Sequence, residues 1–137
     1  MADELFEFEL ATPERLVLRE KVSEVQIPAR DGYIGVLPGH APLLSEMASG
    51  YVCYTSAGRR YYMAVNGGFI EVLPDHVRVL ADTAEKAEEI DVQRAEASLK
   101  RAQERLTNPN IGLDVARALS ALHRAQARLD AAKAGAR

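Results

Sequence analysis

The side chains most able to do chemistry in this chain are arginines that recur at fixed spacing. Arg94, Arg101 and Arg105 of one segment stand where Arg117, Arg124 and Arg128 stand in a second, with Asp91 matched by Asp114 at the same offset of 23 residues. At ~100° per residue each trio falls within about 20° of one line on a helix, roughly 120° from the centre of that helix's apolar stripe. Such a row reads as a solvated flank, tied to Glu104 and Asp130 by weak ion pairs. It also reads as an anion-binding row, because a closed pair of helices would bring both trios together. Asp91 and the first-turn amides of its helix lie beside Arg94, and a helix N-terminus with arginines suits phosphate. The ligand class is a nucleotide or an acidic protein surface. Nucleic acid does not fit: the positive charge is modest and no aromatic residue follows Phe69.

Other chemistry is not indicated. The chain has no Gly-x-x-x-x-Gly-Lys-Ser/Thr loop, no Cys/His metal spacing and no nucleophile elbow. His40, His76 and His123 lie on separate elements, so no triad is expected, nor any catalytic residue or metal site. Asp31-Gly32-Tyr33-Ile34-Gly35 has too few carboxylates for a calcium loop. It reads as a β-turn that lets strands pack closely, as a protruding loop that docks on a partner, or as both. The single cysteine, Cys53, excludes an internal disulfide and is expected to act as a small core residue.

The elements that must position these residues divide the chain in two. Residues 1–90 carry 15 acidic and 8 basic residues, and residues 91–137 carry 5 acidic and 9 basic, so the halves are oppositely charged. The second half suits an acidic partner. No apolar run approaches a membrane span and the first residues are acidic rather than signal-like, so a soluble chain is expected. Glu4–Leu10 alternates with period two, as do Leu16–Leu18 and Val22–Ile27. Pro28–Gly32 and Pro38–Pro42 are breaks. Further extended runs are Tyr33–Val36, Leu43–Ala48, Tyr51–Thr55, Arg60–Val65, Phe69–Leu73 and Val77–Leu80. Asn66-Gly67-Gly68 suggests a bulge or a close backbone approach. The spacing of eight to ten short strands indicates an antiparallel sandwich or barrel, read as a β-sandwich of about ten strands over residues 1–86.

After the charged connector Ala84–Glu89 the period changes. Val92, Ala95, Leu99, Ala102 and Leu106 form a heptad-like stripe, repeated by Val115, Ala118, Leu122, Ala125 and Leu129. Asp91 and Asp114 are placed as N-caps, and Pro109 cannot continue the first helix. Residues 87–137 thus form an antiparallel two-helix hairpin, giving an α+β chain. Each copy is too short to be a stable helix alone. The stripe alternates alanine with larger residues, so little area is buried, and at ~25 cal/mol per Å2 the gain is only a few kcal/mol. A hairpin held this weakly can exchange one packing arrangement for another.

Several stretches carry a family likeness: Thr12-Pro13-Glu14-Arg15, the run from Ile27 to Leu44 that ends Leu37-Pro38-Gly39-His40-Ala41-Pro42-Leu43-Leu44, Gly67–Val72 and Val79–Asp82. On these the chain resembles the epsilon subunits of F-type ATP synthases, called delta in mitochondria, along nearly its whole length. The resemblance implies a non-catalytic central-stalk subunit that requires no cofactor. The sandwich would bind the gamma subunit and sit on the membrane rotor ring, with Asp31, Gly32, Tyr33 and His40 at these contacts. The hairpin would fold on the sandwich or extend along gamma, where its basic face would meet the catalytic alpha and beta subunits and block ATP hydrolysis. Ile90-Asp91-Val92-Gln93-Arg94-Ala95 matches an Ile/Leu-Asp-x-x-Arg-Ala motif through which some bacterial members bind ATP as a regulatory ligand. Glu85, Arg101, Arg124 and Arg128 match the accompanying positions. The implied location is the cytoplasmic face of the bacterial inner membrane, peripherally, or the stromal side of the thylakoid. Alternative readings are a purely structural coupling subunit with an inert hairpin, and a stand-alone ATP-sensing module.

Overall fold

A computed structural model describes residues 4–108, 110 and 112–136. Eight strands precede the helices: β1 (Phe6–Ala11), β2 (Leu16–Val22), β3 (Glu24–Ala29), β4 (Gly32–Val36), β5 (Leu43–Glu46), β6 (Gly50–Ser56), β7 (Arg59–Leu73) and β8 (His76–Lys86). They hydrogen-bond in the order β2-β1-β8-β7-β6-β3-β4, with β5 also on β7. Eight strands among the described residues are close to the expected number, one pair of neighbouring apolar runs having merged. The sheet is mixed rather than purely antiparallel: β1 pairs parallel with β8, Glu7 opposite His76 through Ala11 opposite Leu80. Nothing local in either strand encodes that pairing, which joins the two ends of the domain.

That merger explains the double glycine. Arg60–Val65 and Phe69–Leu73 are one strand, β7, and its pairing with β8 keeps one register from Met63 opposite Lys86 to Leu73 opposite His76. Core-facing side chains nonetheless switch parity, from Met63 and Val65 to Ile70 and Val72. Gly67 and Gly68 lie at the switch with φ of +65° and +124°, which L side chains rarely adopt. A Cβ on Gly68 would also meet the Leu80 carbonyl oxygen. The expected close backbone approach is therefore present, as a corner at which β7 passes from one layer to the other. At the β6–β7 hairpin, Ala57 and Gly58 have φ of +50° and +79°, as a two-residue turn between right-twisted strands requires.

Phe8, Leu10, Val25, Ile27, Met63, Ile70 and their neighbours fill the sandwich core. The break expected at Pro28 begins later, since Pro28 and Ala29 complete β3. β8 likewise runs on to Lys86, taking half of the expected connector. A single 3-10 turn, Ala87–Glu89, leads to α1 (Val92–Thr107) and α2 (Val115–Gly135). Both helices are capped as the sequence predicts: the Arg94 amide donates to Asp91 Oδ1 at 3.1 Å and the Arg117 amide to Asp114 Oδ1 at 3.0 Å.

The expected stripe is only partly the contact. Ala95 and Ala102 of α1 and Ala118 and Ala125 of α2 are buried, whereas Val92 and Val115 in the first turns are exposed. Small side chains let two helices approach closely, and the leucines flank that seam half-buried. α2 has a second buried face, Ala127 and Ala131, and packs on β6 and β7. α1 therefore sits outermost, on α2. Cys53 is buried outside the sandwich core. Strand alternation explains this: Val52 and Tyr54 point inward, so Cys53 points to the side where α2 lies. Cys53 is thus a small buried residue, as expected, on the face of β6 against which α2 packs.

Candidate functional site

The N-terminus of α1, the end of β8 and the middle of α2 converge. Glu85, Glu89, Asp91, Arg94, Ala95 and Arg128 line a cavity of about 240 Å3. Arg128 Nε donates to Glu85 Oε1 at 2.9 Å, tying α2 to β8. Both side chains are about 40% exposed or slightly less, at 41% and 35%, so this is a latch of modest strength. A second cavity of about 250 Å3 shares Glu85, Glu89 and Arg128 and continues to Arg15, Asn66, Thr83 and Arg124. Cationic guanidinium groups, a helix N-terminus and hydroxyl and amide groups suit a phosphorylated ligand; the carboxylates suit its hydroxyl and amino donors.

Of the eight residues singled out in the sequence for ATP, five line the first cavity: Glu85, Asp91, Arg94, Ala95 and Arg128. Arg124 lines the second, its Nη1 donating to Ser120 Oγ at 3.0 Å. Ile90 is half-buried in the connector and Arg101 is exposed, donating to Ser98 Oγ at 3.0 Å; neither lines these cavities. Glu89, Arg15, Asn66 and Thr83 are given no ligand role by the sequence. Asn66 and Thr83 face each other across β7 and β8, a juxtaposition that depends on long-range register.

The internal repeat creates a counterpart at the other end of the hairpin. Asp114, Arg117 and Ala118 of α2 line a cavity of about 450 Å3 with Arg105 of α1. These are the repeat equivalents of Asp91, Arg94, Ala95 and Arg128. An antiparallel pair built from one repeated segment has two similar ends. The ends differ where the repeat fails, since Glu85 and Glu89 have Asn108 and Gly112 as their equivalents.

Two further surfaces are built on the sandwich. Arg30 and Asp31 form the exposed β3–β4 turn and Gly32, with a φ of +133°, opens β4. Tyr33 follows, its Oη accepting the Tyr51 amide at 3.1 Å and its ring 5.5 Å from that of Tyr51. Burial pushes its phenol pKa up. His40 lies in the β4–β5 loop, half-buried, with Nδ1 2.7 Å from the Ala41 carbonyl. These residues sit on separate loops, and no hydrogen bond joins them among the described residues.

The outer face of β2-β1-β8-β7 is not covered by the hairpin. Across it runs a ladder of alternating charge: Glu71, Arg78, Glu9 and Arg19, with Arg78 Nε donating to Glu9 Oε2 at 3.2 Å and Arg19 Nη2 to Glu9 Oε1 at 3.3 Å. The hydrogen bond from Arg78 holds the Glu9 carboxyl below its usual pKa. Beside the ladder Phe69, Leu80 and Leu16 are each about half exposed, at 56%, 52% and 49%, in register across the strands through Ala11. An apolar row beside a polar ladder has the character of a protein-binding surface.

Comparison with known proteins follows the same division. Residues 5–87 match the family described as ATP synthase, Delta/Epsilon chain, beta-sandwich domain, and residues 88–133 match its long alpha-helix domain. An ATP synthase epsilon chain of Solibacter usitatus is 58% identical over 107 residues, 78% of this chain and 80% of that protein. One of Koribacter versatilis is 52% identical over 106 residues, 77% and 74% of the two chains. A chain in the cryo-EM structure of the Euglena gracilis mitochondrial ATP synthase, OSCP/F1/c-ring, superposes with a TM-score of 0.83 at 23% identity, covering 97% of this chain and 84% of that one. With sandwich and helical hairpin both matched, in this order and over nearly the whole length, the chain belongs to the ATP synthase delta/epsilon family.

Proposed function

We propose that this chain is a non-catalytic rotor subunit of an F-type ATP synthase, peripheral to the membrane, that couples the catalytic head to the ion-translocating ring. The name shared by its relatives supports the assembly. The exposed apolar row of Phe69, Leu80 and Leu16 supports a partner on that face, read as gamma. The β3–β4 turn with Asp31, Gly32 and Tyr33, and the loop with His40, are read as the ring and stalk contacts. The chain acts at the cytoplasmic face of a bacterial membrane.

The hairpin is the regulatory element. Folded on the sandwich, it closes the cleft around Arg94, Arg128 and Glu85, which takes ATP. Released, its basic rows reach the catalytic alpha and beta subunits and hold back hydrolysis. The observation that carries this reading is the contact itself. The fully buried residues of α2 are all alanines, and among the described residues one half-exposed ion pair ties it to β8, so the side chains that fasten it are small. The test is truncation after Ala87 within the assembled synthase, with ATP hydrolysis measured. Hydrolysis is expected to rise several-fold while the complex stays assembled. An unchanged rate would leave a coupling subunit with an inert hairpin.

A further inference from the structure

Each cavity around Arg128 is smaller than the ~300 Å3 at which small-molecule sites usually begin. At about 240 and 250 Å3 they share Glu85, Glu89 and Arg128 as a common wall. The first holds the N-terminal turn of α1, with Asp91 and Arg94. The second ends at Arg15, which comes from neither helix but from the turn between β1 and β2. That turn is held by reciprocal backbone bonds, the Thr12 amide to the Arg15 carbonyl at 2.9 Å and the Arg15 amide to the Thr12 carbonyl at 3.3 Å. The side chain is thus carried on a fixed turn. Among the described residues Arg15 forms no salt bridge. The cavity places this unengaged guanidinium with Arg124, Arg128, Asn66 and Thr83.

We propose that the two cavities act as one cleft for a nucleoside triphosphate, and that Arg15 is the ligand of its terminal phosphate. This rests on reading the hairpin site as a nucleotide site and adds its specificity. Asp91 lines only the cavity at the α1 end, where its carboxylate repels phosphate and suits the donor groups of the nucleoside, while Glu85 and Glu89 stand on the shared wall with Arg128. The polyphosphate runs the other way, along Arg128 and Arg124 to Arg15. Guanidinium groups match phosphate oxygens bidentately, so a triphosphate engages Arg15 and a monophosphate does not reach it. A ligand bound in this way touches β1–β2, β8, α1 and α2 together. Its third phosphate then favours the docked hairpin.

The test is binding of ATP and of AMP to the 137-residue chain and to Arg15→Gln by calorimetric titration. Arg15 is exposed, so the variant is expected to keep the parent's thermal unfolding midpoint. ATP should bind Arg15→Gln about tenfold more weakly while AMP binding stays as in the parent, and Arg15→Lys should recover part of the loss. Equal ATP affinity of parent and Arg15→Gln overturns the role of Arg15 and leaves the nucleotide reading intact. An equal loss for ATP and AMP overturns it too, since Arg15 would then not sense the terminal phosphate. No ATP binding by the parent up to millimolar concentration overturns the nucleotide reading and this inference together.

Discussion

At the scale of single residues, backbone conformation and capping decide more than charge. Asp91 and Asp114 are N-caps, a role evident in the sequence because an acidic residue just before an apolar-periodic run can accept first-turn amides. The role of Gly68 was only half legible. Two glycines at a strand's head announce a close approach, but the identity of the approaching group, the Leu80 carbonyl, depends on how β8 folds back. Gly68→Ala would force a Cβ against that oxygen at a φ of +124°. The loss should exceed the ~1 kcal/mol usual for glycine against alanine and reach ~2 kcal/mol or more. Urea unfolding measures it; an unchanged midpoint would mean the corner does not need glycine. Arg15 was quoted in the sequence for family likeness alone, because nothing near it in the chain shows that its turn lies beside α2.

At the scale of elements, the repeat carries more information in its mismatches than in its matches. The matched alanines make the seam between the two helices. The mismatched positions, Glu104 against Ala127 and Asn108 against Ala131, separate the helix that faces solvent from the one that faces the sheet. The stripe was legible as periodicity, yet periodicity alone ranks Val92 with Ala95, and only packing shows that the valines stay outside. α2 is thereby the element whose displacement opens the molecule. Ala131→Leu overfills a fully buried position of α2, the helix that packs on β6 and β7, at a cost of ~1–3 kcal/mol typical of added methylenes in a packed site. The hairpin should undock while the sandwich keeps its β signal in circular dichroism. Glu104→Leu, on the exposed face of α1, should leave docking as it is. Equal behaviour of the two variants would show that α2 does not rest on the sheet by its alanine face.

At the scale of the whole molecule, a tightly cored sandwich bears a thinly attached hairpin, and the proposed ligand cleft lies where they meet. The two-part order was legible from the change of period near residue 90; the parallel β1–β8 pairing was not, because it joins strands some 70 residues apart. The cleft was legible as residue types and illegible as a place, since Glu85, Asp91, Arg94 and Arg128 meet only once α2 is docked. α2 packs on the face of β6 that carries Cys53, the chain's single cysteine, whose burial pushes the thiol pKa up. A buried thiol of raised pKa reacts slowly, and its reaction reports the population of the opened hairpin. A ligand held only in the docked state, present at ~100 times its dissociation constant, adds ~2.7 kcal/mol to docking. The most direct measurement is therefore the alkylation rate of Cys53 in the native 137-residue chain, with and without millimolar ATP. The account predicts slow labelling without ATP and markedly slower labelling with it; a rate that ATP does not change, or one already as fast as in the urea-unfolded chain, would contradict it.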